Sequence, residues 1–309
     1  MDETDLTLIK LLLVNARSPY RHLADQLGLS VNAVHKRIQA LIQSGVIKAF
    51  TAKASLAALG GHSVHIFGRS ESGFLSDIMD TIGSNESTYW VSVAGGNHLY
   101  VGGYLRDISE LASYSEHVSK VGEFRNPTIG LMHSEGLGDA TSASNSRSNS
   151  PFQPLDYEII YALQNNCRKA ITDVAEEIGV SAKTARRRLK WMTDNGMIEL
   201  SLEWYPDKSN DIITFFDIEL LHGYNKTEVS RHLYDKYSPN LIFVMSYSNL
   251  PMTMWGVLWA TTMSEMREIG GRLGKEENFS CSTPNVVYSG KIYESWREEL
   301  VIREGAPRS

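Results

Sequence analysis

The stretch Pro19-Tyr20-Arg21-His22-Leu23-Ala24-Asp25-Gln26-Leu27-Gly28-Leu29-Ser30-Val31-Asn32-Ala33-Val34-His35-Lys36-Arg37-Ile38-Gln39-Ala40-Leu41, closed by Ser44-Gly45-Val46-Ile47, decides the fold. Leu23, Ala24 and Leu27 share one helical face, Gly28 permits a left-handed turn, and Ser30 can cap the helix that follows. On a wheel of about 100° per residue, Val31, Val34, Ile38 and Leu41 gather on one side as core. Asn32, Lys36 and Gln39 lie nearly opposite, and His35 and Arg37 flank the core. A short helix, a tight turn and a second helix whose outward side carries amide, imidazole and ammonium groups suits base edges and phosphates.

The pattern returns: residues 156–198 match 5–47 without a gap, at an offset of 151. Asp156, Ile160, Leu163, Asn166 and Arg168 answer to Asp5, Ile9, Leu12, Asn15 and Arg17, and Gly179, Ser181, Arg188, Gly196 and Ile198 to Gly28, Ser30, Arg37, Gly45 and Ile47. Turn glycine, cap serine, terminal glycine and core positions are what two copies of one fold must keep, so this is an internal duplication. In the second copy Ala182, Ala185, Leu189 and Met192 are expected in the core, while Lys183, Arg187 and Lys190 face out with Thr184 and Arg186 beside them. The candidate DNA-contacting residues are therefore Ser30, Asn32, His35, Lys36 and Gln39 in one copy and Ser181, Lys183, Thr184, Arg186, Arg187 and Lys190 in the other. Ser30 and Ser181 act first as N-caps, with a phosphate contact as their second role. Arg37 and Arg188 are expected to form structural ion pairs with Asp25 or Glu176, phosphate contact being the alternative.

Around these units the chain reads as follows. A helix over 6–14, capped by Thr4 or Asp5, precedes the first turn. A β-rich segment through Thr51 is the expected wing, and 52–59 a connecting helix. Residues 62–133 have the order strand, helix, strand, strand, helix, strand, with a hairpin across Gly95-Gly96-Asn97-His98. Residues 136–149, the poorest in apolar side chains, read as a flexible linker spanning about 20 Å. The strand-helix order recurs over 212–288, followed by a terminal helix over 291–301 and a frayed end. The expected class is α+β. Two winged helix-turn-helix domains (1–52 and 153–204) alternate with two ferredoxin-like βαββαβ domains (60–134 and 210–290), with a linker at 135–152 and a C-terminal helix and tail at 291–309.

Composition narrows the function. The chain has 309 residues, 42% hydrophobic, enough for several cores. A net charge of −6 argues against a nonspecific nucleic-acid coat, yet permits a local basic helix. Its two cysteines, Cys167 and Cys281, show no metal or disulfide spacing and fit a reducing compartment. The acidic start Met1-Asp2-Glu3-Thr4-Asp5 lacks the order of a secretory signal, and the apolar-rich run over 252–263 is too short to span a bilayer, so a cytoplasmic protein without a membrane partner is expected. His62 and His65, three apart on a strand, face opposite sides and suit one metal poorly. Trp255 and Trp259 share a strand face, which reads as sheet packing rather than a ligand cage. No nucleophile elbow, phosphate-binding glycine loop or Cys-Cys spacing occurs. No catalytic residue, metal or cofactor is therefore assigned, and the expectation is a non-enzyme.

Leu23-Ala24…Leu27-Gly28-Leu29-Ser30…Val34…Arg37-Ile38…Leu41…Gly45-Val46-Ile47 resembles the N-terminal half of the leucine-responsive regulator/AsnC family, and 62–133 resembles its βαββαβ regulatory domain. The likeness covers nearly the whole chain, twice, the second regulatory copy by element order alone. It implies a transcription regulator with double-stranded DNA as partner. The family dimerises through its regulatory sheets and binds palindromic sites. The tandem copy implies an intrachain pseudo-dimer, or else a homodimer through those sheets, whose unequal readers prefer an asymmetric site or bind mainly through the more basic half. The resemblance also places a small-molecule effector at Gly95, Gly96, Asn97 and His98. Neither that turn nor Ser246-Tyr247-Ser248-Asn249 carries the acidic residue of the family's Gly-Asp-Tyr-Asp-like motif, which puts a free amino acid in question. Two other classes stand beside this reading. Sirohaem decarboxylases resemble the same family, and their His-Asn-Tyr…Tyr-Asn-Leu-Trp type pattern is faintly matched by Thr88-Tyr89-Trp90 and Asn97-His98-Leu99-Tyr100. A pure interaction module with degenerate helical units is the third.

Overall fold

The computed structural model describes residues 1–73, 75–132, 152–209, 211–281 and 284–307. The first half runs α1 (Glu3–Val14), α2 (Tyr20–Leu27), α3 (Val31–Gln43), β1 (Ile47–Ala54), β2 (His62–Arg69), α4 (Leu75–Gly83), β3 (Thr88–Ala94), β4 (His98–Leu105), α5 (Leu111–Val121) and β5 (Thr128–Leu131). The second runs α6 (Pro154–Leu163), α7 (Ile171–Glu177), α8 (Ala182–Asp194), β6 (Ile198–Trp204), β7 (Ile212–Leu220), α9 (Lys226–Tyr237), β8 (Leu241–Ser246), β9 (Thr253–Ala260), α10 (Met263–Leu273), β10 (Phe279–Cys281), β11 (Asn285–Ile292) and α11 (Trp296–Gly305). The order is mixed α+β, each three-helix segment preceding a βαββαβ segment. The expected linker over 136–149 lies outside the described residues, as do His133 and the last two residues. The chain divides into two compact units, one gathering both helical segments from Leu8 onward with α11, the other both βαββαβ segments together with Met1–Thr7.

In the helical unit the strand expected as a wing does not fold back on its own module. β1 pairs antiparallel with β6, its counterpart in the other copy, from Ile47 opposite Trp204 to Ala54 opposite Ile198. This ladder also overturns the connecting helix expected from residue 52. Ala52-Lys53-Ala54 suits a helix by composition, but its backbone groups find partners on β6, and tertiary pairing overrides propensity. The two copies clasp reciprocally. Arg17 donates to the carbonyls of Cys167 and Lys169, while Arg168, its repeat equivalent, donates to those of Ala16 and Ser18. A core of Ala52, Ala54, Ile159, Ile160, Leu163, Leu189, Met192 and Met197 draws on both copies. Cys167 lies in it, and burial pushes its thiol up to about 11, the inert state of a structural cysteine.

Each copy starts with the same local device. Asp2 and Asp5 cap one another at the head of α1, so that helix begins earlier than expected and its cap is Asp2. Gln153 and Asp156, at the same offset, form a capping box on α6. The terminal helix α11 starts at Trp296 rather than 291 because β11 runs on to Ile292. Its Arg297, 1% exposed, donates to the Ala54 carbonyl and to Glu199 Oε2 at 2.7 Å, and Lys53 reaches Glu298 at 2.7 Å.

The other unit is one nine-stranded sheet in the order β5-β2-β4-β3-β11-β7-β9-β8, with β10, a short strand the sequence did not announce, on β7. Each βαββαβ half keeps its own helix-covered core, including Val64, Ile66, Val91, Val101, Ile82 and Val118 in the first and Phe216, Ile218, Leu233, Leu258 and Ile269 in the second. The halves join within the chain at a β3–β11 ladder, Val287 opposite Ala94 to Ile292 opposite Trp90. Among the described residues the outer ends meet at the bridge of Met132 to Tyr247. There the Asn249 side chain imitates a strand residue, accepting from Leu131 N–H at 2.7 Å and donating to the Ile129 carbonyl at 2.8 Å.

Candidate nucleic-acid interface

The two third helices, α3 and α8, are built alike. Gly28 and Gly179 take left-handed φ values of 64° and 70°, a region that favours glycine, and so turn the chain sharply. Ser30 Oγ then accepts from Ala33 N–H and Ser181 Oγ from Thr184 N–H, both at 3.1 Å. Val34, Ile38 and Leu41 are buried in one helix, and Ala185, Leu189 and Met192 in the other. Val31, expected in the core, is 44% exposed, and Ala182 is only half-buried. Each opens its helix, and the buried stripe begins three residues later.

The opposite faces are open. Ser30, Asn32, His35, Lys36 and Gln39 are exposed, as are Ser181, Lys183, Arg186, Arg187 and Lys190, whereas Thr184 is half-buried with its hydroxyl 2.9 Å from Ser181 Oγ. The His35 ring stands edge-on to Tyr20 at 5.6 Å. Lys190 meets Asp194 at 2.8 Å one turn on, an exposed pair weak enough to yield to a phosphate. Among the described residues, Lys183, Arg186 and Arg187 have no ion-pair partner. The faces differ in kind at equivalent positions: Asn32 against Lys183, His35 against Arg186, Lys36 against Arg187, and Gln39 against Lys190.

Arg188 corrects one expectation. Its partner is Asp156 on α6, not Glu176: Nε and Nη2 both donate to the carboxylate, the second at 2.7 Å. Asp156 is fully buried, and the bonded carboxylate pushes the guanidinium pKa up. The guanidinium also lies 4.1 Å from the Trp191 ring centroid. The signal was present, since Asp156 and Arg188 recur at the same offset as Asp5 and Arg37, but helical spacing alone does not say which acid a core-flanking arginine meets. Sequence reasoning also missed a surface cleft of about 310 Å³ beside α8, lined by Gln153, Leu155, Thr184, Arg187, Arg188 and Trp191.

The turn proposed for an effector is held by its own polar groups. Gly96 and Asn97 adopt positive φ, Asn97 Nδ2 donates to the Ser72 carbonyl at 3.0 Å, and His98 Nδ1 lies 3.1 Å from the Gly95 carbonyl. Between the βαββαβ halves, rings of Trp90, Tyr247 and Trp255 pack against His65, and Tyr100 and Phe215 pack in turn on Trp255; His65, Tyr100, Phe215, Tyr247 and Trp255 are nearly inaccessible. His65 bridges Tyr247 and Tyr89 hydroxyls at 3.3 and 3.1 Å, and burial lowers its pKa to about 4.

The winged helix-turn-helix DNA-binding family matches residues 1–48 and again 152–199. The HTH-type transcriptional regulator LrpA of Pyrococcus horikoshii is 29% identical over 126 residues, covering 39% of this chain and 88% of the relative. The chain is thus similar to HTH-type transcriptional regulators of the leucine-responsive regulator/AsnC kind. The HTH-type transcriptional regulator LysM of Sulfurisphaera tokodaii is 51% identical over 51 residues, 16% of this chain, which spans 36% of that relative's length. Its namesake in Saccharolobus solfataricus is 45% identical over 56 residues, 18% of this chain and 39% of that protein. Among solved structures, the sirohaem decarboxylase NirDL is alike in fold across 98% of this chain and 97% of its own, with a TM-score of 0.63 and 12% identity. No helix among the described residues is long and apolar enough to cross a membrane.

Proposed function

We propose that this protein is a sequence-specific regulator of transcription that binds double-stranded DNA through two unequal recognition helices. The observation that carries this reading is the division of α3 and α8: one face of each is sealed in the core, the other leaves a row of donors and cations open to solvent. Lys183, Arg186, Arg187 and Lys190 supply phosphate attraction and, at Arg187, a bidentate donor for guanine, while Asn32 and Gln39 suit adenine. The operator on this reading is a pair of dissimilar half-sites bound in one polarity, modulated by an effector acting on the regulatory sheets. Selection of duplexes from a random pool by the whole chain tests it. A reproducible, non-palindromic site is expected, and failure to enrich any sequence would refute the reading.

The likeness to a sirohaem decarboxylase supports a second reading, tetrapyrrole chemistry between the βαββαβ halves. Against it, the rings of Tyr100, Phe215, Tyr247 and Trp255 fill the contact between those halves. Titration with an iron porphyrin decides the matter, a saturable Soret shift favouring the enzyme.

A further inference from the structure

The cleft beside α8 is absent from the logic of the duplication. At the equivalent positions in the first copy, Asp2, Thr4, Ala33, Lys36, Arg37 and Ala40 replace Gln153, Leu155, Thr184, Arg187, Arg188 and Trp191. An acid has become an amide, and an alanine an indole. The geometry points to a nucleotide seat in the second copy alone, taking a phosphate against Arg187, Gln153 and Thr184 and the flat sugar-base portion against Trp191 and Leu155. This inference builds on the DNA-binding reading; it shares Arg187 and Thr184 with that reading and adds Gln153, Leu155 and Trp191, which lie outside the outward row of α8.

Three features carry it. The cleft, at about 310 Å³, is of the size that small ligands fill. Its back wall is fixed, because Arg188 is held by both oxygens of buried Asp156 and lies over Trp191 at 4.1 Å, so the indole is backed on one side by a guanidinium. Its mouth is positive, because Asp156 offsets only one of the two arginines, and Arg187 is exposed with no ion-pair partner among the described residues. A cationic mouth over an aromatic floor is the chemistry that holds a phosphorylated base. The nucleotide has two sources, the backbone of bound DNA flanking the second half-site or a free mononucleotide. In the second case Arg187 would serve both ligands, and a free nucleotide would displace DNA.

The test uses the whole chain and Gln153→Glu. That change retains a cap-competent side chain at the head of α6 and places a carboxylate where the first copy has Asp2, so helix and fold should persist; Gln153→Ala is the uncharged companion, and thermal melting checks both. In one arm AMP is titrated and indole fluorescence followed. In the other, phosphate-ethylation interference is mapped on the duplex obtained by random-pool selection. Expected is a loss of AMP affinity on the order of tenfold in Gln153→Glu, or one ethylation-sensitive phosphate beside the second half-site whose effect vanishes in that variant. The first result identifies a free nucleotide, the second the DNA backbone. If AMP binding and the ethylation pattern are both unchanged by Gln153→Glu, the seat is refuted while the DNA reading stands. If selection enriches no sequence, the DNA reading fails and the AMP arm alone decides the seat.

Discussion

The two helical copies share a skeleton and differ in chemistry. Both have the left-handed glycine, the capping serine and the three-residue buried stripe, yet α3 presents Asn32, His35, Lys36 and Gln39 where α8 presents Lys183, Arg186, Arg187 and Lys190. The second copy alone combines Trp191 with the cleft. Duplication preserved what folding needs and released what, on the proposed DNA reading, recognition uses. In a symmetric dimer each change appears twice; here each can be tuned on its own.

The largest expected effect breaks this contrast. Lys183→Ala, Arg187→Ala and Lys190→Ala together should weaken DNA binding by roughly 100-fold or more at about 0.1 M salt and lower the slope of log K against log salt by about 3, measured by anisotropy. Lys36→Ala should lower that slope by only about 1; an equal loss from both would erase the asymmetry. Next comes the scaffold of α8. Asp156→Ala leaves Arg188 without its carboxylate and should destabilise the fold by about 2–3 kcal/mol, seen as a lower urea midpoint, the partial exposure of Arg188 moderating the loss.

A smaller effect concerns pH. Burial alone would raise the Glu298 carboxyl, but Lys53 and the bonds from Ser295 overcome it and hold the pKa at about 2, below its ordinary 4.5. A depressed carboxyl stabilises the fold above its unfolded pKa and loses that contribution as pH falls from about 4.5 towards 2. Glu298→Gln should therefore be less stable by on the order of 1–2 kcal/mol at neutral pH and show a flatter acid limb in urea titrations. Smallest and most informative is Asn32→Ala. It should reduce discrimination at one A·T pair of the first half-site by about 1–2 kcal/mol while leaving the salt slope unaltered, which sharpens the division between a reading copy and a gripping copy.

Much of this was legible in the residues. Apolar spacing and the offset repeat located both third helices and their outward rows, because helical period and turn chemistry are local properties. What stayed hidden depends on distant partners. The β1 strand was misread from residue 52 onward because its partner β6 lies far along the chain. Arg188 was matched to the wrong acid because Glu176 on α7 and Asp156 on α6 both lie off its own helix, and only packing selects Asp156. The cleft needed the N-terminus of α6 beside α8, and the Asn249 imitation of a strand residue needed β5. His65, one histidine among nine, became a buried neutral hub only once both βαββαβ halves surrounded it.

The β1–β6 ribbon has a biological corollary. Because both its strands belong to one polypeptide, the two helical copies pair at an effective concentration set by the tether and not by expression level. On the proposed DNA reading, the pairing of α3 with α8 is therefore independent of protein concentration and survives dilution.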